Sequence, residues 1–177
     1  MNSDARREEG YYERERSNLH MDDLTRPAIT PSMEEALALA RQASLCGEVP
    51  VGAVVLLNGR IIGRGFNLRE TDQRPTAHAE LLAIEDAART LGSWRLIGCS
   101  LVVTLEPCPM CLAAAQQARL SEIYFGAVDP KGGALSLGYK LHEDPRTNHR
   151  FKVIHVPDER CGQILKDFFQ ARRKAGP

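Results

Sequence analysis

Two short motifs constrain this chain more strongly than any other feature. His78-Ala79-Glu80 opens a helical pattern, and Pro107-Cys108-Pro109-Met110-Cys111 follows an apolar run typical of a buried strand. Cysteines at positions i and i+3 of a helix lie on one face, so both sulfurs can bind one metal ion. A histidine nitrogen supplies a third ligand, and three protein ligands around zinc leave one coordination position for water. His78, Cys108 and Cys111 are therefore predicted to hold a catalytic Zn²⁺ ion.

The spacing of His78 and Glu80 allows both side chains to face one metal ion only under one structural condition. Residues i and i+2 of a regular helix point to different sides, so both can face one ion only where the helix begins. Pro75 keeps the preceding chain extended, and Thr76 is expected to be the N-cap. The prolines flanking Cys108 are likewise tolerated only in a first turn. Glu80 then stands beside the metal-bound water as a proton carrier.

A closed structural zinc site is the alternative to a catalytic one. It needs a fourth protein ligand, which Cys46 or Cys99 could supply. Such a site would make the chain a non-catalytic zinc-stabilised binding module, for example a subunit of an editing complex. It would leave Glu80 without a purpose, so the catalytic interpretation is favoured.

Composition excludes several classes of protein. The 177 residues contain 23 Lys and Arg against 23 Asp and Glu, a formal net charge of zero, which argues against a generic polyanion binder. No apolar run approaches membrane-spanning length, and the charged N-terminus does not resemble a signal peptide. An odd number of cysteines without a paired framework suits the reducing cytoplasm.

The order of the patterns predicts one α/β domain. Residues 1–31 form a charged arm expected to be disordered, with Met21 as an alternative translation start, and residues 32–177 form the folded domain. A helix capped by Ser32 precedes two strands joined at Asn58-Gly59, and helices and strands alternate after them. The pattern predicts a mixed, five-stranded sheet between two helical layers.

Several predictions of burial follow from the same patterns. Leu81, Leu82 and Ile84 are expected in the core. The inner face of the C-terminal helix is expected to carry Ile164, Leu165, Phe168 and Phe169. His20, His142 and His155 are expected at the surface.

The motifs together resemble those of the cytidine deaminase superfamily and, within it, the branch that deaminates adenosine in tRNA. The resemblance extends from about Glu48 to Arg173. The stretches that carry it are Glu48-Val49-Pro50-Val51-Gly52-Ala53-Val54, Phe66-Asn67, Pro75-Thr76-Ala77-His78-Ala79-Glu80, Val103-Thr104-Leu105-Glu106-Pro107-Cys108-Pro109-Met110-Cys111, Phe125-Gly126-Ala127, Asp129-Pro130-Lys131-Gly132-Gly133-Ala134, Asn148-His149-Arg150 and Asp167-Phe168-Phe169.

The resemblance implies a fold and an activity. The fold is the three-layer α/β/α arrangement of cytidine deaminases, and the activity is zinc-dependent conversion of adenosine to inosine at the wobble position of a tRNA anticodon loop, by a homodimer. Asn67 would hydrogen-bond the inserted nucleoside, the Ala79 backbone N–H would contact the same ring, and Asp129 would face a neighbouring nucleotide. Asn67 could instead cap a loop, and Asp129-Pro130 could be an ordinary turn.

Basic side chains near the C-terminus offer contacts for tRNA phosphates. Residues 140–174 contain 9 Lys and Arg against 5 Asp and Glu. The candidates are Arg150, Arg172, Arg173 and Lys174, although basic residues also stabilise a helix C-terminus. A deaminase of a free base or nucleoside, of the guanine or cytosine type, would share every zinc residue and need no basic rim.

Overall fold

The computed structural model describes residues 26–175, where five strands and four helices form one α/β unit. The elements are α1 (Arg26–Leu45), β1 (Gly52–Leu57), β2 (Arg60–Phe66), α2 (Ala79–Leu91), β3 (Ser100–Leu105), α3 (Pro109–Gln117), β4 (Glu122–Ala127), β5 (Lys152–His155) and α4 (Glu159–Ala175).

The strands form one mixed sheet, as the sequence predicts. Their order is β2-β1-β3-β4-β5. Strand β1 runs antiparallel to both β2 and β3, whereas β3, β4 and β5 are parallel. The predicted tight turn joins β1 to β2, with φ angles of 50° at Asn58 and 74° at Gly59. Both values lie in the left-handed region that two-residue hairpins of type I′ require.

The sheet is covered on both faces, which confirms the three-layer architecture. In β1, Ala53 and Val55 point to a core shared with α2 and α3. Val54 and Leu56 point to a second core shared with α1 and α4. Strand β1 is therefore apolar at consecutive positions, as expected for a strand buried on both sides.

Helix α2 packs very closely against β2 because the strand carries two glycines on that face. A Cβ atom at Gly63 or Gly65 would overlap the backbone of the helix. The buried face of α2 consists largely of alanines for the same reason, together with Glu80 and Ile84. Leu81 and Leu82, expected in the core, are only half-buried.

The first helix begins earlier than expected. It starts at Arg26 and contains Pro31, so Ser32 is inside the helix and the prediction that it is the N-cap is wrong. Ile29 and Met33 lie one turn apart and are both buried, and this apolar contact extends the helix towards the N-terminus. Residues 26–31 are thus helical, while the rest of the expected arm, including Met21, lies outside the described residues.

Two predictions of burial near the C-terminus are wrong. Phe169 is 44% exposed, whereas Cys161 and Phe168 are buried and the predicted Ile164 and Leu165 are half-buried. His142 is buried rather than at the surface, and it packs edge-on against Phe151. His155 is exposed as expected, and His20 lies outside the described residues. Within residues 26–175, no helix is both long and apolar enough to cross a membrane.

Candidate active site

Two helices begin at the site, and a predicted metal ligand is the N-cap of each. His78 caps α2 with φ −77° and ψ 149°, and Cys108 caps α3 with φ −69° and ψ 168°. Neither side chain makes a capping hydrogen bond to its own helix. The prediction that Thr76 caps α2 is therefore wrong, because the extended residue that precedes the helix is the ligand itself. This conformation lets His78 point to the same region as the first turn of α2, as the sequence required.

The three ligand atoms have the spacing of zinc ligands. Cys108 Sγ lies 3.5 Å from Cys111 Sγ and 3.7 Å from His78 Nδ1, and Cys111 Sγ lies 3.6 Å from the same nitrogen. A tetrahedral zinc ion, with bonds of about 2.3 Å to sulfur and about 2.0 Å to nitrogen, separates its ligands by roughly 3.5 to 3.8 Å. The donor set therefore fits zinc, and Nδ1 is the atom of His78 that faces the two sulfurs.

No fourth protein ligand joins this group among residues 26–175, where it is the one set of three metal-binding side chains found. Cys46 is exposed. Cys99 is buried in the apolar core, where burial raises the pKa of its thiol to about 11 and keeps it protonated. The arrangement is thus that of an open site rather than a closed zinc knot.

The cysteine pair shares one proton in the absence of metal. The hydrogen bond from Cys111, followed by the contact with His78, lowers the pKa of Cys108 to about 4. The same hydrogen bond, together with burial, raises the pKa of Cys111. The bond to Cys108 also raises the pKa of His78. One thiolate is thus present at neutral pH, and the start of α3 stabilises it further through its helix dipole.

Glu80 lies in the first turn of α2 and is 4% exposed. Burial is the main reason that the pKa of its carboxyl is raised. Glu80 does not belong to the group of ligand side chains. A carboxyl group beside a metal site, with a pKa moved towards neutrality, is suited to carrying protons.

Asn67 follows β2 directly and is held by a buried acid. It is 7% exposed, and its Nδ2 donates to Glu48 Oε2 at 3.3 Å. Gly65, two residues earlier, lies against the backbone of Ala79 and Ala83. The end of β2 therefore meets the first turn of α2, where the N–H of Ala79 has no intrahelical acceptor.

Asp129 forms an ordinary turn, which is the alternative to substrate contact that the sequence of Asp129-Pro130 suggested. Its Oδ1 accepts hydrogen bonds of 3.1 Å from the N–H groups of Lys131 and Gly132. The loop is also anchored by Glu106, which accepts from the N–H of Asp129 at 3.0 Å and from both the N–H and the hydroxyl of Ser136. Asp129 therefore stabilises its own loop, and only one of its oxygens is engaged in the turn.

Two buried acids near the site, Glu48 and Glu106, had no predicted role. Glu48 is fully buried and Glu106 is 3% exposed. Burial alone would raise the pKa of each, but several N–H and O–H donors outweigh it, so each pKa is lowered. Each of these acids lies next to an apolar strand and close to a proline, and this pattern was the only local signal of a special role for them. The contacts themselves join distant segments and have no local pattern.

The basic candidates do not gather at the metal site. Arg172, Arg173 and Lys174 are exposed in the last turn of α4, which packs on the sheet face opposite to α2 and α3. Arg150 is exposed just before β5. The sheet therefore lies between the three α4 side chains and the helices that carry the zinc ligands, whereas Arg150 follows His149, whose carbonyl accepts a hydrogen bond from Gln116 of α3.

Comparison with known proteins identifies the family. A family model for the cytidine and deoxycytidylate deaminase zinc-binding region matches residues 29–127. A tRNA-specific adenosine deaminase of Bacillus subtilis is 50% identical over 143 residues, which cover 80% of this chain and 89% of that protein.

Solved structures agree with this assignment. One from studies of A-to-I editing by tRNA:A34 deaminases at the wobble position is 43% identical, with a TM-score of 0.73, and the match covers 77% of this chain and 99% of that one. A guanine deaminase from Bacillus subtilis is 31% identical, with a TM-score of 0.55, over 82% of this chain and 93% of that one. Because the family model matches more than half of the chain and the Bacillus subtilis relative is 50% identical over most of its length, the chain belongs to the cytidine and deoxycytidylate deaminase family of zinc-binding enzymes.

Proposed function

We propose that this protein is a zinc-dependent enzyme that hydrolyses adenosine to inosine in tRNA, at the wobble position of the anticodon loop. The observation that carries the proposal is the open His78, Cys108 and Cys111 site with Glu80 beside it. The substrate is proposed from the relatives, because the tRNA deaminase structure is more similar in both identity and TM-score than the guanine deaminase.

The chemistry needs a nucleophile and a proton carrier. Zinc held by these three residues would lower the pKa of a bound water and so supply the nucleophile at neutral pH. Glu80 takes a proton from the water, passes it to the ring nitrogen beside the reacting carbon, and assists departure of the amino group as ammonia. Water and adenosine are thereby converted to inosine and ammonia.

The substrate roles are proposed for residues at the end of β2 and the start of α2. Asn67 hydrogen-bonds the inserted base, the N–H of Ala79 contacts the same ring, and Asp129 faces a neighbouring nucleotide through its remaining oxygen. An anticodon loop suits such a site because its unstacked base enters a pocket at low energetic cost. Arg150, Arg172, Arg173 and Lys174 contact phosphates further from the reacting base.

Incubation of the zinc-loaded protein with total tRNA tests the function. Inosine is expected, with ammonia released in equal amount, and the glutamine variant Glu80→Gln should retain zinc while kcat falls by about 10²- to 10⁴-fold. Release of ammonia from free guanine, with no inosine in tRNA, would instead favour the guanine deaminase function. An active Glu80→Gln variant would contradict the role given to Glu80.

We also propose that the enzyme is a cytoplasmic homodimer. All five cysteines are free thiols, which suits a reducing compartment. Leu137 and Tyr139 are about half exposed, at 49% and 53%, beside the loop that carries Asp129, and a second copy would cover them. Sedimentation equilibrium should give twice 19.6 kDa. Leu137→Glu should shift the protein towards the monomer, whereas Leu45→Glu, at an exposed leucine that ends α1, should not.

A further inference from the structure

Glu48 is a buried charge whose partners are all hydrogen-bond donors. Its carboxylate is inaccessible to solvent. Oε2 accepts from the Asn67 side chain at 3.3 Å and Oε1 from the Thr71 N–H at 2.6 Å. No ion pair within residues 26–175 includes it, and Arg69 attracts it only from a distance. Burying a carboxylate is costly unless donors compensate it, and here the donors belong to one segment.

The carboxylate determines how the Asn67 side chain is oriented. An ionised carboxylate can only accept hydrogen bonds, so the amide group of Asn67 must turn its NH2 towards Glu48. The Oδ1 atom then faces away from Glu48, and no protein donor in the described part of the chain reaches it. Glu48 therefore fixes the orientation of the Asn67 amide, and with it the direction of Oδ1 and of the second N–H.

The same acid also stabilises the segment that leads to the metal. Thr71 lies between Asn67 and His78, and the loop closes on itself through the bond from the Leu68 N–H to the Ala77 carbonyl at 3.0 Å. Glu48 is in turn attached to the end of α1, since its N–H donates to the Ala43 carbonyl at 3.0 Å. Glu48 thus connects three parts of the chain: its N–H bonds to α1, and its carboxylate bonds to the end of β2 and to the loop before the first zinc ligand.

We infer that Glu48 is a positioning residue that fixes the Asn67 amide in the orientation in which it hydrogen-bonds the substrate base. The inference rests on the proposed function, and it deepens it by assigning the orientation of the base-binding amide to a residue outside the metal site.

The variant Glu48→Gln tests this role with little change in volume. The new amide has one acceptor oxygen, so it cannot accept from Asn67 and Thr71 in the native way, and its NH2 opposes that of Asn67. Loss of one oriented hydrogen bond is expected to lower kcat/KM on tRNA by about 10- to 100-fold. Zinc content should equal that of the wild type. Glu70→Gln, an exposed acid of the same loop, is the matched control and should remain fully active.

A double-mutant cycle separates positioning from general stability. If Glu48 acts through Asn67, then Glu48→Gln combined with Asn67→Ala should be about as slow as Asn67→Ala alone. Multiplicative losses in the double variant would overturn the inference, as would a Glu48→Gln variant with wild-type kcat/KM. If Glu48→Gln does not fold, Glu48→Asp is used instead, because this variant keeps the negative charge but draws the carboxylate away from Asn67. The same double-mutant cycle is then measured, and the same result would overturn the inference.

The activity of the wild-type protein distinguishes a failure of this inference from a failure of the proposed function. A zinc-loaded wild type that forms no inosine in tRNA overturns both. An active wild type with an equally active Glu48→Gln variant overturns only the role of Glu48.

Discussion

Three side chains show why a metal site can be read from a sequence. His78, Cys108 and Cys111 were predictable because each motif is local and the helix starts impose their direction. The details of the cap were not predictable, since Thr76 is the better N-cap by residue type. The ligand occupies that position instead, because an extended residue before α2 points its imidazole towards the sulfurs.

The protonation of these ligands makes zinc binding dependent on pH. The pKa of Cys108 is lowered to about 4, so this sulfur is already a thiolate at neutral pH. The pKa values of Cys111 and His78 are raised, so zinc must displace protons there. Since binding releases protons, the apparent affinity should rise with pH, by up to about tenfold per pH unit for each proton released.

Competition with a chelator, between about pH 6 and about pH 8, measures this dependence. Proton release can be measured independently from the heat of binding in buffers of different ionisation enthalpy. Cys46→Ser, at the exposed cysteine, should bind zinc like the wild type, and Cys108→Ser should bind it far more weakly. An affinity that stays constant with pH would contradict the shared proton.

At the scale of elements, most of the sheet could be predicted and the contacts between elements could not. Asn58-Gly59 located the hairpin, and the apolar run before Pro107 located β3. The sequence separation of Glu48 from Asn67 is 19 and that of Glu106 from Ser136 is 30, so no local period shows either contact. The early start of α1 has the same cause, because Ile29 is stabilised by tertiary packing that outweighs the cost of Pro31.

The packing of β2 against α2 leads to a prediction about the metal site. Gly65→Ala places a methyl group where the backbone of Ala79 and Ala83 lies, so the start of α2 must move away from the sheet. Overpacking of this kind costs about 1–3 kcal/mol of unfolding free energy. Zinc content and activity should fall as well, because His78 caps the displaced helix.

Chemical unfolding of the zinc-loaded proteins measures the loss. Gly162→Ala is the control, since nothing lies within 4 Å of its added Cβ in α4. It should be neutral or stabilising, by about 0.5–1 kcal/mol, because alanine favours a helix interior. A Gly65→Ala variant as stable as the wild type would show that α2 can move without disturbing its ligand.

At the scale of the whole molecule, charge is balanced and the basic side chains are local. With 23 Lys and Arg against 23 Asp and Glu, general attraction to a polyanion is weak. Binding of tRNA must therefore depend on a few cations, and Arg172, Arg173 and Lys174 form the densest exposed group, in the last turn of α4. These residues also suit the negative end of the helix dipole, so their role in tRNA binding needs a test that stability does not affect.

Salt dependence provides that test. Replacing all three residues with alanine should raise KM for tRNA and leave kcat at saturating tRNA unchanged, because the helix lies on the sheet face opposite to α2 and α3. The slope of log KM against log salt should decrease by about 0.7 to 0.9 for each phosphate group that the variant no longer neutralises. A control with Arg41→Ala and Arg60→Ala removes exposed charge from α1 and β2 and should keep the wild-type slope. An unchanged slope in the triple variant would assign these cations to the helix terminus alone and leave Arg150 as the remaining candidate.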